Sequence, residues 1–269
     1  MRILVTSDLH VESCGLEPIR RLVAGMDREH PDIVVIAGDI GNPLDLFEDC
    51  LACFLKLDCP IAVLAGNHDV WSGHGMTSEE LWRGGLPQVT RALNFHWLED
   101  KPLVLAGGVG LAGTIGWYDY SARARHLGQT DEELVAEKRR HAADDFRIDW
   151  GWDDRSFALK CRERARTHLE ALERDPRVEQ IVFATHVPVF EEQLERRDHD
   201  EHWSRGTAYF GHLTLGGEVV NFPKVRYVVS GHTHIGQNDV VEREDAPPIA
   251  VAVVASDYMR PRWVTIETP

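Results

Sequence analysis

Seven side chains that could bind metal, and one more that could move a proton, stand out along this chain. Asp8 and His10 flank Leu9, Gly38-Asp39 comes next, and Gly66-Asn67-His68-Asp69 forms a compact polar block. Thr185-His186 and Gly231-His232-Thr233-His234 follow much later. Imidazole nitrogen suits zinc, iron, manganese and nickel, while carboxylate and amide oxygens suit harder ions. A mixed nitrogen and oxygen set without thiolate fits a catalytic centre better than a closed structural zinc site. Asp8, His10, Asp39, Asn67, His186, His232 and His234 exceed the needs of one tetrahedral ion. They match two ions roughly 3.5–4 Å apart that share a carboxylate and acidify a water to about pKa 7. Singly these motifs say little, since Gly-Asp after a strand is often only a turn. Their force is that each of the five follows an apolar run.

Those apolar runs are the elements that must position the set. Ile3–Ser7, Ile33–Ala37 and Ile61–Ala65 read as strands, and their continuous apolarity predicts burial on both faces. Glu17–Glu29 and Leu44–Leu57 carry helical periodicity, which gives the βαβαβ rhythm of a layered α/β fold. In such sheets the loops after the strands' carboxyl ends form the ligand crevice, where the polar motifs lie. Leu103–Ala106 and Val109–Ala112 flank Gly107-Gly108, a hairpin signal. Strands resume at Gln180–Ala184 and Val225–Val229, with two or three more between Asp239 and Glu267. Residues 117–158 are aromatic and charged, with helical patterns at about 131–145 and 155–173. That stretch is too long for an ordinary loop and is expected to be a substrate-facing insertion. With no internal repeat and no low-complexity linker, residues 1–269 read as one domain.

Composition narrows the function classes. Hydrophobic residues at 43% and charged residues at 27% predict a folded core rather than disorder. A net charge of −15 repels polyphosphate backbones and anionic membranes, so nucleic acid is a disfavoured partner. No apolar run is long enough to span a bilayer, and the start MRILVTSDLH lacks the features of a signal peptide. The odd count of five cysteines points to reduced thiols and a cytoplasmic setting. Cys50 and Cys53 fall on a predicted helix and read as core fillers, because no second CxxC completes a zinc site.

Taken in order, Asp8-x-His10, Gly38-Asp39, Gly66-Asn67-His68-Asp69, Thr185-His186 and Gly231-His232-Thr233-His234 resemble the calcineurin-like metallophosphoesterase superfamily, in its phosphodiesterase-like branch. The resemblance implies an α/β fold, a four-layer α/β/β/α sandwich with a dinuclear site at the strand C-terminal ends. It implies that Asp8, His10 and His234 bind one ion, that Asn67, His186 and His232 bind the other, and that Asp39 bridges both. Manganese, iron, zinc and nickel all fit the donors, with manganese or iron expected first. His68 matches the family's non-ligand histidine, which implies a hydrogen bond to phosphoryl oxygens or protonation of the leaving group; the alternative is that it completes a turn. Asp69 and Asn42 join it as candidate catalytic residues. Protein Ser/Thr phosphatases carry Gly-Asp-x-x-Asp-Arg-Gly, whereas this chain reads Gly38-Asp39-Ile40-Gly41-Asn42-Pro43. Asn42 either hydrogen-bonds His68 or caps the following helix, and the missing Arg weakens a protein-phosphatase reading.

Specificity would come from the rim. Tyr118 could stack on a base and Arg123 could grip a second phosphate, or both could serve the insertion's own core and surface. The charged run His199–Arg205 reads as a mobile loop. The expected function is hydrolysis of a small phosphodiester or phosphomonoester. The alternatives are a nuclease or RNA-processing phosphodiesterase, and a non-catalytic metal-binding scaffold, which the seven filled positions argue against.

Overall fold

Two sheets lie face to face, and the pleat alternation of the sequence decides which side chains go between them. A computed structural model describes residues 1–268, the side chain of His141 excepted. Strands β1 (Arg2–Thr6), β2 (Ile33–Ala37), β3 (Ile61–Leu64), β4 (His96–Trp97) and β11 (Trp263–Glu267) form one sheet in the order β11-β1-β2-β3-β4. Strands β5 (Leu103–Val104), β6 (Val109–Thr114), β7 (Gln180–Thr185), β8 (Val225–Ser230), β9 (Gln237–Val241) and β10 (Ile249–Val253) form the other, in the order β5-β6-β7-β8-β10-β9. Their central strands run parallel, while β11, β5 and β9 join as antiparallel edges.

Alternate residues of each strand serve different layers. In β2, Ile33, Val35 and Ala37 meet Val182, Ala184 and Val229 in the core between the sheets. Val34 and Ile36 point the other way, against Ile19, Val23 and Met26 of helix Leu16–Arg28 and Phe47 and Leu51 of helix Leu44–Ala52. In β7, Phe183 and Ile181 face outward to Leu169 and Leu172 of helix Asp154–Arg174. The result is the expected α/β/β/α stack. Each fully buried Leu, Ile or Val contributes roughly 1.5–3 kcal/mol relative to exposure.

Several elements differ in extent from their sequence patterns. The predicted helix Leu44–Leu57 ends at Ala52 and tightens into a 3₁₀ turn over Cys53–Lys56, burying Cys50 and Cys53 in the core as expected. All five cysteines are free. The hairpin forms, but β5 stops at Val104 and the reversal takes Ala106–Gly108, with Gly107 and Gly108 both at positive φ. The 131–145 pattern is two helices, Asp131–His141 and Ala143–Arg147, broken where Ala142 turns extended. The segment His199–Arg205, read as a loop, holds the helix Glu201–Gly206, capped by Asp200 accepting from the Trp203 amide. Helical turns over residues 78–92 went unread, although Thr77 and Glu80 form a reciprocal capping box there. No helix among the described residues is long and apolar enough to cross a membrane.

Candidate metal centre

The loops after β1, β2 and β3 rise from one sheet and those after β7 and β8 from the other, so the candidate ligands meet across the top of the sandwich. Asp8, His10 and His234 bring donor atoms within 4.8 Å of one another, as do Asp39, His186 and His232, and also His10, Asp39 and His68. Asp8, His10, Asp39, Asn67 and His186 are buried. Backbone bonds stitch the loops, with the Asp8 amide donating to the Gly38 carbonyl and the His10 amide to Asp39. Asp8, His10, Asp39, His232 and His234 all have positive φ, a region that Asn, Asp and His enter more readily than other non-glycine residues. Two glycines leave room for the carboxylates: a Cβ at Gly66 would collide with Asp39, and one at Gly231 with Asp8 and Ser7.

Hydrogen bonds fix which ring nitrogen faces inward. A carbonyl can only accept, so His186 Nδ1 donates to Ala37 O at 2.9 Å, His234 Nδ1 to Ser256 O at 3.0 Å, and His232 Nε2 to Tyr209 O at 3.0 Å. His10 Nδ1 lies 3.1 Å from Glu12 Oε1. Each neutral imidazole then turns a lone pair toward the others. His186 Nε2 lies 3.0 Å from Asn67 Oδ1 and 3.3 Å from Asp39 Oδ2, and His232 Nδ1 lies 3.0 Å from the same Asn67 oxygen. Asn67 is itself oriented, because its Nδ2 donates to Asp144 at 3.0 Å. On the other side His10 Nε2 is 3.6 Å from Asp39 Oδ2 and, although buried, has no hydrogen-bond partner. His234 Nε2 lies 3.8 Å from Asp8 Oδ1.

Lone pairs converging in a buried space repel unless cations or protons sit among them. The donor set therefore fits metal ions, with outer-shell carbonyls and Glu12 aligning the imidazoles. Without metal, protons take that place. Burial opposes charge on His186, but Asp39 outweighs it and pushes the imidazole up to about 9. Burial likewise works against the Asp39 charge, yet His186, His68 and His10 hold its carboxyl well below the usual range. His232 goes the other way, down to about 4, through burial and the neighbouring His186.

His68 stands at the edge of the cluster. Its amide donates to Asp39 Oδ1 at 2.9 Å, its Nε2 is 4.0 Å from Asp39 Oδ2, and its ring stacks on Trp71 with centroids 3.7 Å apart. Burial lowers its pKa despite Asp39. Tyr258 covers the opposite edge, with its ring centroid 4.6 Å from that of His10 and 4.8 Å from that of His234.

Four of the sequence candidates are placed elsewhere. Asp69 lies behind the cluster, where it accepts from the amides of Ile40 at 2.8 Å, Gly41 at 2.9 Å and Gly66 at 2.8 Å. It braces the loops that carry Asp39 and Asn67 instead of facing a ligand. Asn42 Nδ2 donates to Trp71 O at 2.9 Å, so it makes neither the bond to His68 nor a helix cap, and Pro43 occupies the cap position. Tyr118 is fully buried and donates to Asp144 Oδ2 at 3.0 Å, which leaves it no face for a base. The Arg123 guanidinium pairs with Asp131 at 2.6 Å and donates to the carbonyls of Tyr120 and Gln129, so it grips its own segment rather than a phosphate. The residues that sequence reasoning missed are Glu12, Trp71, Asp144 and Tyr258. Glu12 and Trp71 lie two and three positions beyond His10 and His68, a signal within reach. Asp144 and Tyr258 had none.

The family model for calcineurin-like phosphoesterases matches residues 1–236. The chain belongs to that family. None of the curated proteins matches this calcineurin-like phosphoesterase. Among solved structures it is similar to phosphopantetheinyl hydrolase (PptH) from Mycobacterium tuberculosis, with TM-score 0.73 and 17% identity over 97% of this chain and 95% of that one. It is also similar to a dimetal phosphatase from Danio rerio, with TM-score 0.58 and 13% identity over 94% and 87% of the two chains. A third similar structure, TT1561 of Thermus thermophilus, matches with TM-score 0.56 and 12% identity over 96% and 90%. At these identities the likeness is one of fold. The metallophosphoesterase family generally uses a pair of divalent metals, and the residue clusters described above are candidates to hold them in this member.

Proposed function

We propose that this chain is a phosphoesterase that hydrolyses a small phosphodiester or phosphomonoester with two metal ions. Asp8, His10 and His234 would hold one, Asn67, His186 and His232 the other, and Asp39 both. The observation that carries this reading is the convergence of four imidazole lone pairs with Asp8, Asp39 and the Asn67 oxygen in a buried space whose outer nitrogens are already anchored. The mixed oxygen and nitrogen donors favour manganese or iron. Bound there, such ions neutralise phosphoryl oxygens and lower the pKa of water toward neutrality.

The chain's own groups supply the rest. His68, stacked on Trp71 and tied through its amide to Asp39, presents an imidazole at the edge of the cluster, where it hydrogen-bonds a phosphoryl oxygen or gives a proton to the departing alcohol. Its lowered pKa keeps it largely neutral at pH 7, so its help as a donor comes from the N–H of the neutral ring unless substrate charge raises the value. The acidic balance of the chain favours a small substrate over a polynucleotide, and five free thiols suit a reducing, cytoplasmic compartment.

The test joins metal analysis of the purified protein with a screen of p-nitrophenyl phosphate, bis-p-nitrophenyl phosphate, cyclic nucleotides and a phosphopantetheinyl conjugate. Two ions per chain and metal-dependent turnover of one of these are expected. His68→Ala should lower kcat by about 100-fold or more with metal content unchanged. A protein that binds metal yet hydrolyses none of the probes with any divalent ion would point to a scaffold instead.

A further inference from the structure

Exposed large apolar side chains are scattered over the described surface, at Leu55, Phe146, Leu159 and Val240, except for one adjacent pair, Tyr258 (47% exposed) and Met259 (61%). This pair sits on a tight tongue between β10 and β11. Asp257 and Arg260 pair across the tongue, with the Arg260 amide donating to Asp257 O at 3.0 Å, and the Met259 amide donates to Asp257 Oδ1 at 3.0 Å. The base of the tongue is fixed as well. The Arg262 amide donates to Ser256 Oγ at 2.9 Å, and Thr6 Oγ1 at the end of β1 donates to Arg262 O at 2.7 Å. Ser256 O accepts from His234, so the base of the tongue is tied to a candidate ligand. One face of Tyr258 lies over His234 at an interplanar angle of 23°. Among the described residues the Tyr258 hydroxyl has no hydrogen-bond partner, and Arg260 and Arg262 stand exposed on the same tongue without an ion pair.

This hydrogen-bonded turn holds an aromatic ring and a thioether half in solvent beside the imidazoles of the candidate centre, where a bound organic group could cover them. Resting on the phosphoesterase reading, we propose that Tyr258 and Met259 form a shelf that receives the organic group of the ester, and that this group has an aromatic or extended apolar surface. Phosphate bound at the cluster would place the esterifying group within reach of this shelf, and Arg260 and Arg262 would favour approach of an anion in an otherwise acidic protein. Tyr118 and Arg123, which the sequence suggested for this task, are turned inward, so the shelf takes the specificity role they leave vacant.

The experiment measures binding of phenylphosphonate and methylphosphonate, two inert probes, to the metal-loaded protein by calorimetry. Elemental analysis of every variant accompanies it. The wild type should bind phenylphosphonate about tenfold more tightly, the gain expected from covering one aromatic face. Tyr258→Ala should bring the ratio close to one, Met259→Ser should lower it, and Tyr258→Phe should preserve it, all with metal content unchanged. Equal affinity of the wild type for the two probes, or a ratio that survives Tyr258→Ala, overturns the shelf while leaving the phosphoesterase reading intact. Loss of metal in Tyr258→Ala with the ratio intact in Met259→Ser also overturns it, by making Tyr258 a brace for His10 and His234. Failure of both probes to bind strikes at the phosphoesterase reading itself.

Discussion

The two halves of the centre are built differently. Around Asp8, His10 and His234 the supports are partly exposed: Glu12, 27% exposed, faces His10, Ser256 offers one carbonyl to His234, and the outer wall is the half-exposed Tyr258. Around Asp39, Asn67, His186 and His232 the main support is a buried carboxylate. Asp144, on the short helix Ala143–Arg147, receives Asn67 Nδ2, Trp71 Nε1 at 2.7 Å and the Tyr118 hydroxyl. The Arg147 guanidinium of the same helix lies over Trp71, 5.4 Å from the ring centroid. The 117–158 segment therefore reaches the candidate centre through a carboxylate that orders the Asn67 amide and a ring stacked on His68. A half walled by partly exposed groups should exchange its ion readily, while a half clamped by a buried carboxylate should hold it.

Breaking the residue common to both halves should have the largest effect. Asp39→Asn removes the carboxylate that stands between His186 and His10, and should cost both ions and at least 1,000-fold in turnover, read by elemental analysis and hydrolysis of p-nitrophenyl esters. Next comes a paired test of the asymmetry. Asp144→Ala should weaken one of the two metal-binding steps by about 10–100-fold, seen in a titration, and should lower Tm, because Trp71 and Tyr118 lose a buried acceptor. Glu12→Gln should weaken the other step by less, since Glu12 is partly exposed and the amide still accepts from His10. Equal losses from the two variants would erase the distinction between the halves.

The smallest effect concerns pH. His212 Nδ1 donates to Gly116 O at 2.7 Å and so holds the turn that leads from β6 into the 117–158 segment. Burial lowers its pKa although Asp119 pulls upward. The folded value thus lies below the unfolded value of about 6.5, and the unfolded chain takes up a proton that the native ring resists. Stability from this group is fully present above pH 6.5 and is lost as pH falls from there through the folded value. Thermal melts of the wild type should drop more steeply below pH 6.5 than those of His212→Gln, and parallel profiles would remove His212 from the explanation.

How far the sequence foretold all this depends on where the information lies along the chain. Asp8, Asp39, Asn67, His186 and His232 were legible because each closes an apolar strand, and a parallel sheet gathers such ends at one edge. The pleat assigned β2 correctly to two cores for the same reason. Asp144 was illegible because it sits in a charged stretch, and nothing local distinguishes a carboxylate that crosses the molecule to Asn67 from one that faces water. Arg123 misled for the converse reason: sequence shows a cation but not the carbonyls of Tyr120 and Gln129 waiting for it. The break at Ala142 and the early end of the helix at Ala52 leave no mark in the apolar periodicity.

The left-handed backbone at five of the candidate ligands limits how this centre can be re-engineered. Replacing Asp8, His10, Asp39, His232 or His234 by Asn, Asp or His changes the donor while respecting the local dihedrals. A bulky or β-branched substitute adds a conformational penalty of about 1–3 kcal/mol that has nothing to do with coordination. Libraries aimed at a new metal preference should therefore vary Asn67 and His186, whose chain directions are ordinary, before touching the other five.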